Sequence, residues 1–294
     1  MYLVVGATGR LGGQICQLLA AKDVGVKGLV RSTSDQAKVE KLKGYGVEVV
    51  EGNMCDRASL EAACQRVTVV IATVSSMPVC YQPGENDIRT VDKQGYINLI
   101  DTAVAAGVDH FVYTSFTMDN EFPLRNAKRS VEQYLKDSGL TYTILRPGYF
   151  METWLSPAVG FDYPNAKAQI FGSGENPISW ISSLDVAKFA VESLHNPAAV
   201  NAVLPLGGPE AVSPLETVKI FEEIGGQSFE VQNVPESALE EQLNAATDPM
   251  QQSFTGLMLA YALGDPIDMQ ETLKAFPVEL TSVRNYAHSV LIPV

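Results

Sequence analysis

The chain has 294 residues, of which 46% are hydrophobic and 19% charged, and its formal net charge is −13. This composition is typical of a globular protein and excludes a disordered chain. The acidic balance argues against nucleic acid or a membrane surface as a partner, and no apolar run reaches the ~18–20 residues that a membrane-spanning helix needs.

The cysteines and histidines form no metal-ligating pattern. They lack C-x-x-C pairs and zinc spacing, and they stand at Cys16, Cys55, Cys64, Cys80, His110, His195 and His288. We interpret the cysteines as reduced thiols, which predicts a cytoplasmic protein without a metal site.

The first residues predict a strand, a tight turn and a helix. Tyr2 to Val5 is an apolar run of strand length, and Gly6, Gly9 and Gly12 follow in a G-x-x-G-x-x-G pattern. Glycine permits the turn and lets a pyrophosphate approach the backbone, while the helix N-terminus offers its N–H groups to the phosphates. This context predicts a dinucleotide site. Its predicted contacts are Gly6, Thr8, Gly9, Arg10, Leu11 and Gly12.

The end of the second strand indicates which dinucleotide is bound. Val26 to Val30 is the predicted strand, and Arg31 follows it, whereas Asp35 is expected to begin the next helix. An acidic residue at the strand end would bind the ribose hydroxyls of NAD, but an arginine can bind a 2′-phosphate. With Arg10 placed to help, Arg31 predicts NADP(H). The alternative is that Arg31 is an ordinary surface arginine.

Asp56 follows the third predicted strand, Val47 to Val50, which comes after a Lys-rich helix over residues 35–43. Asp56 either lies near the adenine amino group or begins the helix Arg57–Gln65, and the two interpretations are compatible.

The fourth predicted strand, Val67 to Thr73, consists largely of β-branched residues and is expected to be buried on both faces. Thr73 and Ser75 at its end are predicted to contact the nicotinamide ribose. The following loop, Met77–Arg89, is a candidate cover for the site.

Helices and strands continue to alternate up to residue 148. We predict helices at Asp92–Ala106 and Asn126–Lys136 and strands at Phe111–Thr114 and Thr141–Leu145. Such alternation predicts an α/β fold with a doubly wound parallel sheet.

Aromatic residues crowd together after residue 148, and they form either a core or a substrate pocket. The members of this cluster are Tyr149, Phe150, Met151, Trp154, Phe161 and Tyr163.

The rest of the chain is predicted to form a smaller C-terminal substrate lobe. We expect a short strand at Ile178–Ile181, a helix from Ser183 to Leu194, a strand at Ala202–Leu206 that returns to the main sheet, and an extended piece near Phe229–Val234. The predicted division is a cofactor-binding domain over residues 1–150 and a substrate-binding region over residues 151–294.

Taken together, these motifs resemble the NmrA-like branch of the atypical short-chain dehydrogenases/reductases. The residues that carry the resemblance are Gly6-Ala7-Thr8-Gly9-x-x-Gly12, Val30-Arg31, Thr114-Ser115, Lys128-x-x-x-Glu132, Leu145-Arg146-Pro147-Gly148-x-Phe150-Met151-Glu152, Asp185-Val186-Ala187 and Gly207-Gly208-Pro209. The resemblance implies a Rossmann domain, a small substrate lobe and usually NADP(H). The family contains reductases of quinones, enones, dyes and aldehydes, and also redox sensors without catalytic activity.

One departure concerns the tyrosine of the Tyr-x-x-x-Lys motif of conventional short-chain dehydrogenases. Leu124 stands where that tyrosine would precede Lys128. Isoflavone-reductase-like enzymes are similar in keeping only the lysine, which implies that Lys128 is a catalytic residue, a ribose anchor or both. The alternative is an ordinary solvent-exposed lysine. Ser115 and Tyr149 are further candidate proton or hydrogen-bond donors.

We therefore predict an NADPH-dependent oxidoreductase that transfers a hydride to a small apolar quinone, enone or conjugated carbonyl compound, bound by Tyr149, Phe150, Met151 and Trp154. The alternative is a non-catalytic NADP(H)-binding redox sensor or regulatory protein. A third possibility is an isomerase or lyase with a recycled dinucleotide. The substrate and the oligomeric state are left open.

Overall fold

Ten strands occur in the computed structural model, which describes residues 1–22, 24–77 and 81–292. In chain order they are β1 (Tyr2–Val5), β2 (Val26–Val30), β3 (Glu48–Glu51), β4 (Val69–Ala72), β5 (His110–Thr114), β6 (Thr141–Pro147), β7 (Phe161–Asp162), β8 (Lys167–Phe171), β9 (Ala202–Leu206) and β10 (Glu230–Val234).

Twelve α-helices lie in the same described residues. They are α1 (Arg10–Ala20), α2 (Gln36–Gly44), α3 (Arg57–Ala63), α4 (Tyr96–Ala105), α5 (Pro123–Asp137), α6 (Met151–Trp154), α7 (Ser183–Glu192), α8 (Pro214–Gly225), α9 (Glu236–Ala245), α10 (Pro249–Leu263), α11 (Gln270–Ala275) and α12 (Val283–Leu291). None of them is long and apolar enough to cross a bilayer.

The main sheet has the strand order β3-β2-β1-β4-β5-β6-β9. Every pairing from β3 through β6 is parallel. The order reverses between β1 and β4, and ligands of open α/β sheets bind at such a point, outside the carboxyl ends of the strands. The predicted fold class, a doubly wound Rossmann-type sheet, is confirmed.

Contacts divide the chain into two compact units that interleave along the sequence. The first unit comprises Met1–Ser115, Asn126–Arg146 and Val186–Leu204, and the second comprises Phe116–Arg125, Pro147–Asp185 and Pro205–Val294. The boundary predicted at residue 150 falls near the Arg146–Pro147 junction, but segments on both sides of it contribute to each unit.

The core of the first unit forms where apolar strand residues meet the inner faces of the helices. Leu3, Val70 and Phe111 are fully buried in the strands, and Leu60 and Leu99 pack against them from α3 and α4. Strands covered by helices on both faces need this near-continuous apolar character.

The second unit holds a small sheet with the strand order β10-β8-β7. The predicted extended piece near Phe229–Val234 corresponds to β10, but β7 and β8 were not predicted. The predicted strand Ile178–Ile181 is wrong: Ile178 forms isolated bridges with both Val212 and Asp265. Because its partners come from two separate chain segments, no continuous ladder forms there.

The helix predicted at Asp92–Ala106 begins earlier than expected. Residues Ile88–Gly95 are π-helical, and α4 continues from them. The Asp87 side chain caps this π-helical segment by accepting a hydrogen bond from the Thr90 N–H at 2.7 Å. The predicted cover loop therefore ends in a helix, and its residues 78–80 lie outside the described part of the chain.

Candidate functional site

The glycine turn leaves no room for side chains at two of its three glycines. Gly6 has φ +90°, and a Cβ there would lie 2.7 Å from the Thr73 hydroxyl oxygen. A Cβ on Gly12 would lie 2.2 Å from the Gly6 carbonyl oxygen. Since neither position accepts a larger residue, β1, β4 and α1 meet as closely as a dinucleotide-binding turn requires.

The N-terminus of α1 is electrostatically suited to an anion. The helix starts at Arg10, no side chain caps it at Gly9, and its first turn contains no acidic residue. Its first N–H groups and the positive end of its dipole are therefore available to phosphate oxygens. Thr8 and Leu11 are half-buried here, while Gly9 and Arg10 are exposed.

A cavity of about 400 Å³ lies beside this turn, between α1 and α2. Arg10, Lys38 and Lys41 contribute three positive charges to its lining. In a chain of net charge −13, this local excess of cations favours an anionic ligand. The two lysines were not among the predicted contacts. The Lys-rich composition of residues 35–43 was a signal, but it does not reveal which lysines face the glycine turn.

Arg31 lies exposed at the carboxyl end of β2. Its backbone N–H donates to the Ser34 hydroxyl at 3.0 Å, and its guanidinium donates to the Asn86 side-chain oxygen at 3.4 Å. Asp35 caps α2 as expected, by accepting from the Ala37 N–H at 2.8 Å. The first acidic residue after β2 in the sequence is thus used for capping.

Asp56 caps α3 by accepting a hydrogen bond from the Ala58 N–H at 3.1 Å. This is one of the two interpretations of that residue. Its contact with adenine stays a prediction, and the exposed position of the side chain is compatible with it.

The segment after β4 is held by buried groups of the following helical region. The Thr73 hydroxyl donates to the Val5 carbonyl at 3.1 Å. Both the N–H and the hydroxyl of Ser76 donate to Asp92, at 3.0 and 2.5 Å. The Tyr96 hydroxyl donates to the Val74 carbonyl at 2.6 Å. Ser75, a predicted ribose contact, is half-buried within this anchored segment.

Lys128 is not an ordinary surface lysine, because only 5% of it is exposed. Its Nζ donates to the Thr114 carbonyl at 3.3 Å and lies 5.5 Å from the centroid of the Tyr113 ring. Burial lowers the pKa of Lys128, the charges of Asp92 and Glu132 raise it, and that of Arg129 lowers it, with a net lowering. A lysine with a lowered pKa at the end of β5 is suited to proton transfer.

Ser115 belongs to an ionic network around the buried Glu132. Its hydroxyl oxygen accepts from Arg129 at 3.2 Å and its proton is donated to Glu132. Glu132 also pairs with Arg146 and with Arg129. Burial raises the pKa of Glu132, but the hydrogen bonds from Arg146 and Ser115 outweigh it and the pKa is lowered overall. The Ser115 hydroxyl therefore has fixed partners, which limits its freedom as a proton donor.

The aromatic cluster lies in the second unit and is largely a core. The Tyr149 ring lies 4.9 Å from the Trp154 ring, 6.0 Å from the Trp180 ring and 5.9 Å from the Tyr261 ring. Tyr149 and Met151 are fully buried, whereas Phe150 and Trp154 are partly exposed.

The Tyr149 hydroxyl is engaged in this core, since it donates to the Leu257 carbonyl at 3.2 Å. Burial, reinforced by Asp265 and Tyr261, raises the pKa of Tyr149 well above its ordinary value. A phenol in this setting retains its proton, which argues against the role of proton donor considered for it.

No group of three histidine, cysteine or acidic side chains in the described part of the chain is placed to hold a metal ion. Cys16 and Cys64 are buried, and burial raises the pKa of their thiols to about 12 and about 11. The candidate site of the first unit therefore consists of glycine backbone, cations and the buried lysine.

The chain is similar in sequence and in structure to known proteins. The chain is 31% identical over 242 residues to the photosystem II assembly factor Ycf39 of Synechocystis, covering 81% of this chain and 71% of that protein. It is 30% identical over 231 residues to an NAD(P)H azoreductase of Xenophilus azovorans, covering 77% and 74%.

The fold is also shared with a solved NADPH-dependent quinone oxidoreductase of Escherichia coli in complex with NADPH. That structure has a TM-score of 0.77 and 23% sequence identity, and the match covers 99% of both chains. Relatives of the predicted type, NAD(P)H-dependent reductases, are thus found among both sequences and structures. The model of the NmrA-like family matches residues 2–287. The predicted family is confirmed: the chain belongs to the NmrA-like family.

Proposed function

We propose that this protein is an NADPH-dependent oxidoreductase that transfers a hydride to a small apolar quinone, enone or conjugated carbonyl compound. The observation that carries the proposal is the buried Lys128 at the end of β5, in the same unit as a glycine turn that excludes side chains. The names of the azoreductase and quinone oxidoreductase relatives support it.

The glycine turn and the start of α1 would hold the pyrophosphate, and Arg31 with Arg10, Lys38 or Lys41 would hold the 2′-phosphate. When bound, NADPH supplies the hydride. The chain contributes orientation and charge. Thr73 and Ser75 would bind the nicotinamide ribose, and the Lys128 ammonium would hold a proton at Nζ for the oxygen that becomes negative during reduction.

Phe150 and Trp154 are the proposed substrate contacts in the second unit, since both are partly exposed. Tyr149 and Met151 support them from the interior, where an aromatic core fixes their positions. Rigid aromatic surfaces bind planar conjugated molecules at low entropic cost.

A second candidate function is a non-catalytic NADP(H)-binding protein that reports redox state or assists assembly. Leu124 stands at the position of the usual tyrosine and has no hydroxyl group that could donate a proton. Its side chain is buried, and its backbone N–H donates to the Ser253 hydroxyl. The similarity to a photosystem II assembly factor adds to this alternative. Its test is whether the cofactor binds but is not consumed.

The test starts with equilibrium titrations of the full chain with NADPH, NADP⁺ and NADH. We expect NADPH to bind at micromolar concentration or below and to be preferred over NADH. Nicotinamide oxidation is then followed with quinones and enones. Turnover supports the reductase, whereas tight binding of NADP⁺ without turnover of any acceptor favours the regulatory function. Absence of binding by all three dinucleotides would overturn both.

A further inference from the structure

Asp92 is a fully buried carboxylate that the proposed chemistry has not used. It lies in the π-helical segment Ile88–Gly95 and is 0% exposed. One of its oxygens accepts both hydrogen bonds from Ser76, whereas Oδ1 has no hydrogen-bond partner among the described residues. A buried carboxylate is costly unless its charge is compensated, so a compensating cation is expected nearby.

Lys128 is a buried cation of the same unit, and the charge of Asp92 raises the pKa of Lys128 against the lowering caused by burial. Two aromatic rings lie between Lys128 and the helical region that contains Asp92. The Lys128 Nζ lies 5.5 Å from the centroid of the Tyr113 ring, whose centroid lies 4.8 Å from that of the Tyr96 ring. Tyr96 follows Asp92 by four residues in the same continuous helical region. Asp92 and Lys128 therefore belong to one buried polar cluster of the first unit.

The other charged and titratable groups facing Lys128 are Tyr113 from β5 and Arg129 and Glu132 from its own helix. Glu132 is paired with Arg129 and Arg146, so its charge is already matched. Among the described residues, the hydrogen bonds that Asp92 accepts come from Ser76 alone. Of the two acids, Asp92 is thus the one whose charge is available to Lys128.

We propose that Asp92 is a positioning residue with two tasks: its carboxylate fixes Ser76 in the segment after β4, and its charge keeps the Lys128 ammonium stable inside the unit. The π-helical backbone at this position agrees with such a role, because π-helical turns occur frequently at functional sites. The catalytic use of Lys128 rests on the proposed function. The effect of Asp92 on the protonation of Lys128 can be measured without turnover.

The decisive measurement is the titration of Lys128 by NMR in full-length protein with carbon-13-labelled lysine side chains. Loss of one signal in Lys128→Met assigns the resonance. We expect Asp92→Asn to move the Lys128 midpoint to lower pH by about one unit or more, because a nearby negative charge favours the ammonium. Asp109→Asn is the matched control, since this exposed residue precedes the opposite end of β5. An unchanged midpoint in Asp92→Asn would overturn the charge role.

Ser76→Ala tests the other task, because it removes one donor to Asp92 and leaves the charge in place. We expect an unchanged Lys128 midpoint together with a several-fold weaker affinity for NADPH. Unchanged NADPH affinity would overturn the clamping role. If the wild-type chain binds no dinucleotide, the proposed function fails, whereas the NMR titration still decides the charge role.

A double variant covers the case in which Asp92→Asn does not fold. Removal of the carboxylate would then leave the buried Lys128 ammonium uncompensated, so Asp92→Asn combined with Lys128→Met should restore folding. A double variant that is no more stable than Asp92→Asn alone would contradict the charge coupling. In an active enzyme, the basic limb of the pH–rate profile of Asp92→Asn should shift with the Lys128 midpoint.

Discussion

Arg31 is the residue that we propose sets the choice of dinucleotide. It stands exposed at the end of β2, where it replaces the acidic residue that would bind an unmodified ribose. Its guanidinium bond to the Asn86 side-chain oxygen is long, at 3.4 Å, and lies on the surface, so it can exchange for a bond to a phosphate.

Arg31→Asp should weaken NADPH binding by about 1–3 kcal/mol, because it removes a charge-assisted bond and adds repulsion. Binding of NADH should change less or improve. The measurement is a pair of dissociation constants from fluorescence titration. Arg66→Asp is the control: it makes the same charge change at an exposed site before β4, where the positive φ of 60° is tolerated by Asp. Equal losses for both dinucleotides would contradict the 2′-phosphate role.

Lys128 and Lys27 are both 5% exposed, which makes them a matched pair. The Lys27 Nζ donates a hydrogen bond to the Gln65 carbonyl at 2.9 Å, which indicates a structural role. Lys128 instead lies at the carboxyl end of β5 beside Tyr113.

Lys128→Met should reduce turnover by about 10²–10⁴-fold, the usual contribution of a proton donor. It should also lower the free energy of unfolding, because the buried Asp92 carboxylate loses the cation that we propose compensates it. Lys27→Met should affect stability more than turnover. Steady-state kinetics and urea unfolding of both variants provide the comparison. A fully active Lys128→Met would exclude Lys128 from the mechanism.

At the level of elements, the proposed dinucleotide site depends on the contact between α1 and the end of β1. The contact is backbone against backbone, because Gly12 approaches the Gly6 carbonyl without a side chain between them.

Gly12→Ala should lower the free energy of unfolding by roughly 1–3 kcal/mol and weaken NADPH binding, since its Cβ would require α1 to move. Gly44→Ala is the control in α2, where a Cβ meets no atom within 4 Å. That variant should be neutral or slightly stabilising through helix propensity. Equilibrium unfolding and NADPH titration measure both effects, and a Gly12→Ala protein with normal binding would contradict this account of the turn.

The ionic network of Glu132 joins α5 to β6 through Arg146. The pKa of Glu132 is lowered in the folded chain, so the unfolded state binds more protons in the window between the folded value and the ordinary carboxyl value. The contribution of this group is therefore complete above that window and is lost as the pH falls through it.

Glu132→Gln should destabilise the protein by about 1.5–3 kcal/mol near neutral pH, because it removes the charge that the half-buried Arg129 and Arg146 share. The difference from wild type should shrink as the pH falls through the carboxyl range. Urea unfolding at several pH values measures this convergence. Gln133→Glu, on the exposed side of the same helix, is a control for a changed charge. A pH-independent difference would contradict the electrostatic explanation.

At the scale of the whole molecule, three cations line one cavity of a strongly acidic chain. Arg10, Lys38 and Lys41 line the space beside the glycine turn, although acidic residues exceed basic ones by 13 in the sequence. The positive lining of this cavity favours a polyanionic ligand, whereas the net charge of the chain opposes its approach.

NADPH at a hundred times its dissociation constant should raise the free energy of unfolding by about 2.7 kcal/mol, by mass action on the folded state. NADH at the same concentration should raise it less. Thermal unfolding with each dinucleotide measures the effect, and hydrogen exchange should place the new protection in β1 and α1. Equal stabilisation by both dinucleotides would contradict the predicted preference.

The sequence by itself determined the parallel α/β fold, the glycine turn and the place of Arg31 at a strand end, whereas the catalytic role that the family resemblance implies for Lys128 stays a prediction. These features depend on short-range patterns: apolar runs, glycine spacing and the position of a residue directly after a strand. The same kind of pattern predicted that Asp35 begins α2, which its capping hydrogen bond confirms.

Only the tertiary structure decided how side chains distant in sequence meet. It placed Tyr149 in a core with Trp180 and Tyr261, and it split the predicted strand at Ile178 between two partners. It also buried Asp92 in the unit that holds Lys128. Burial and electrostatic pairing arise from packing between segments far apart along the chain, and no local pattern encodes which of those segments become neighbours.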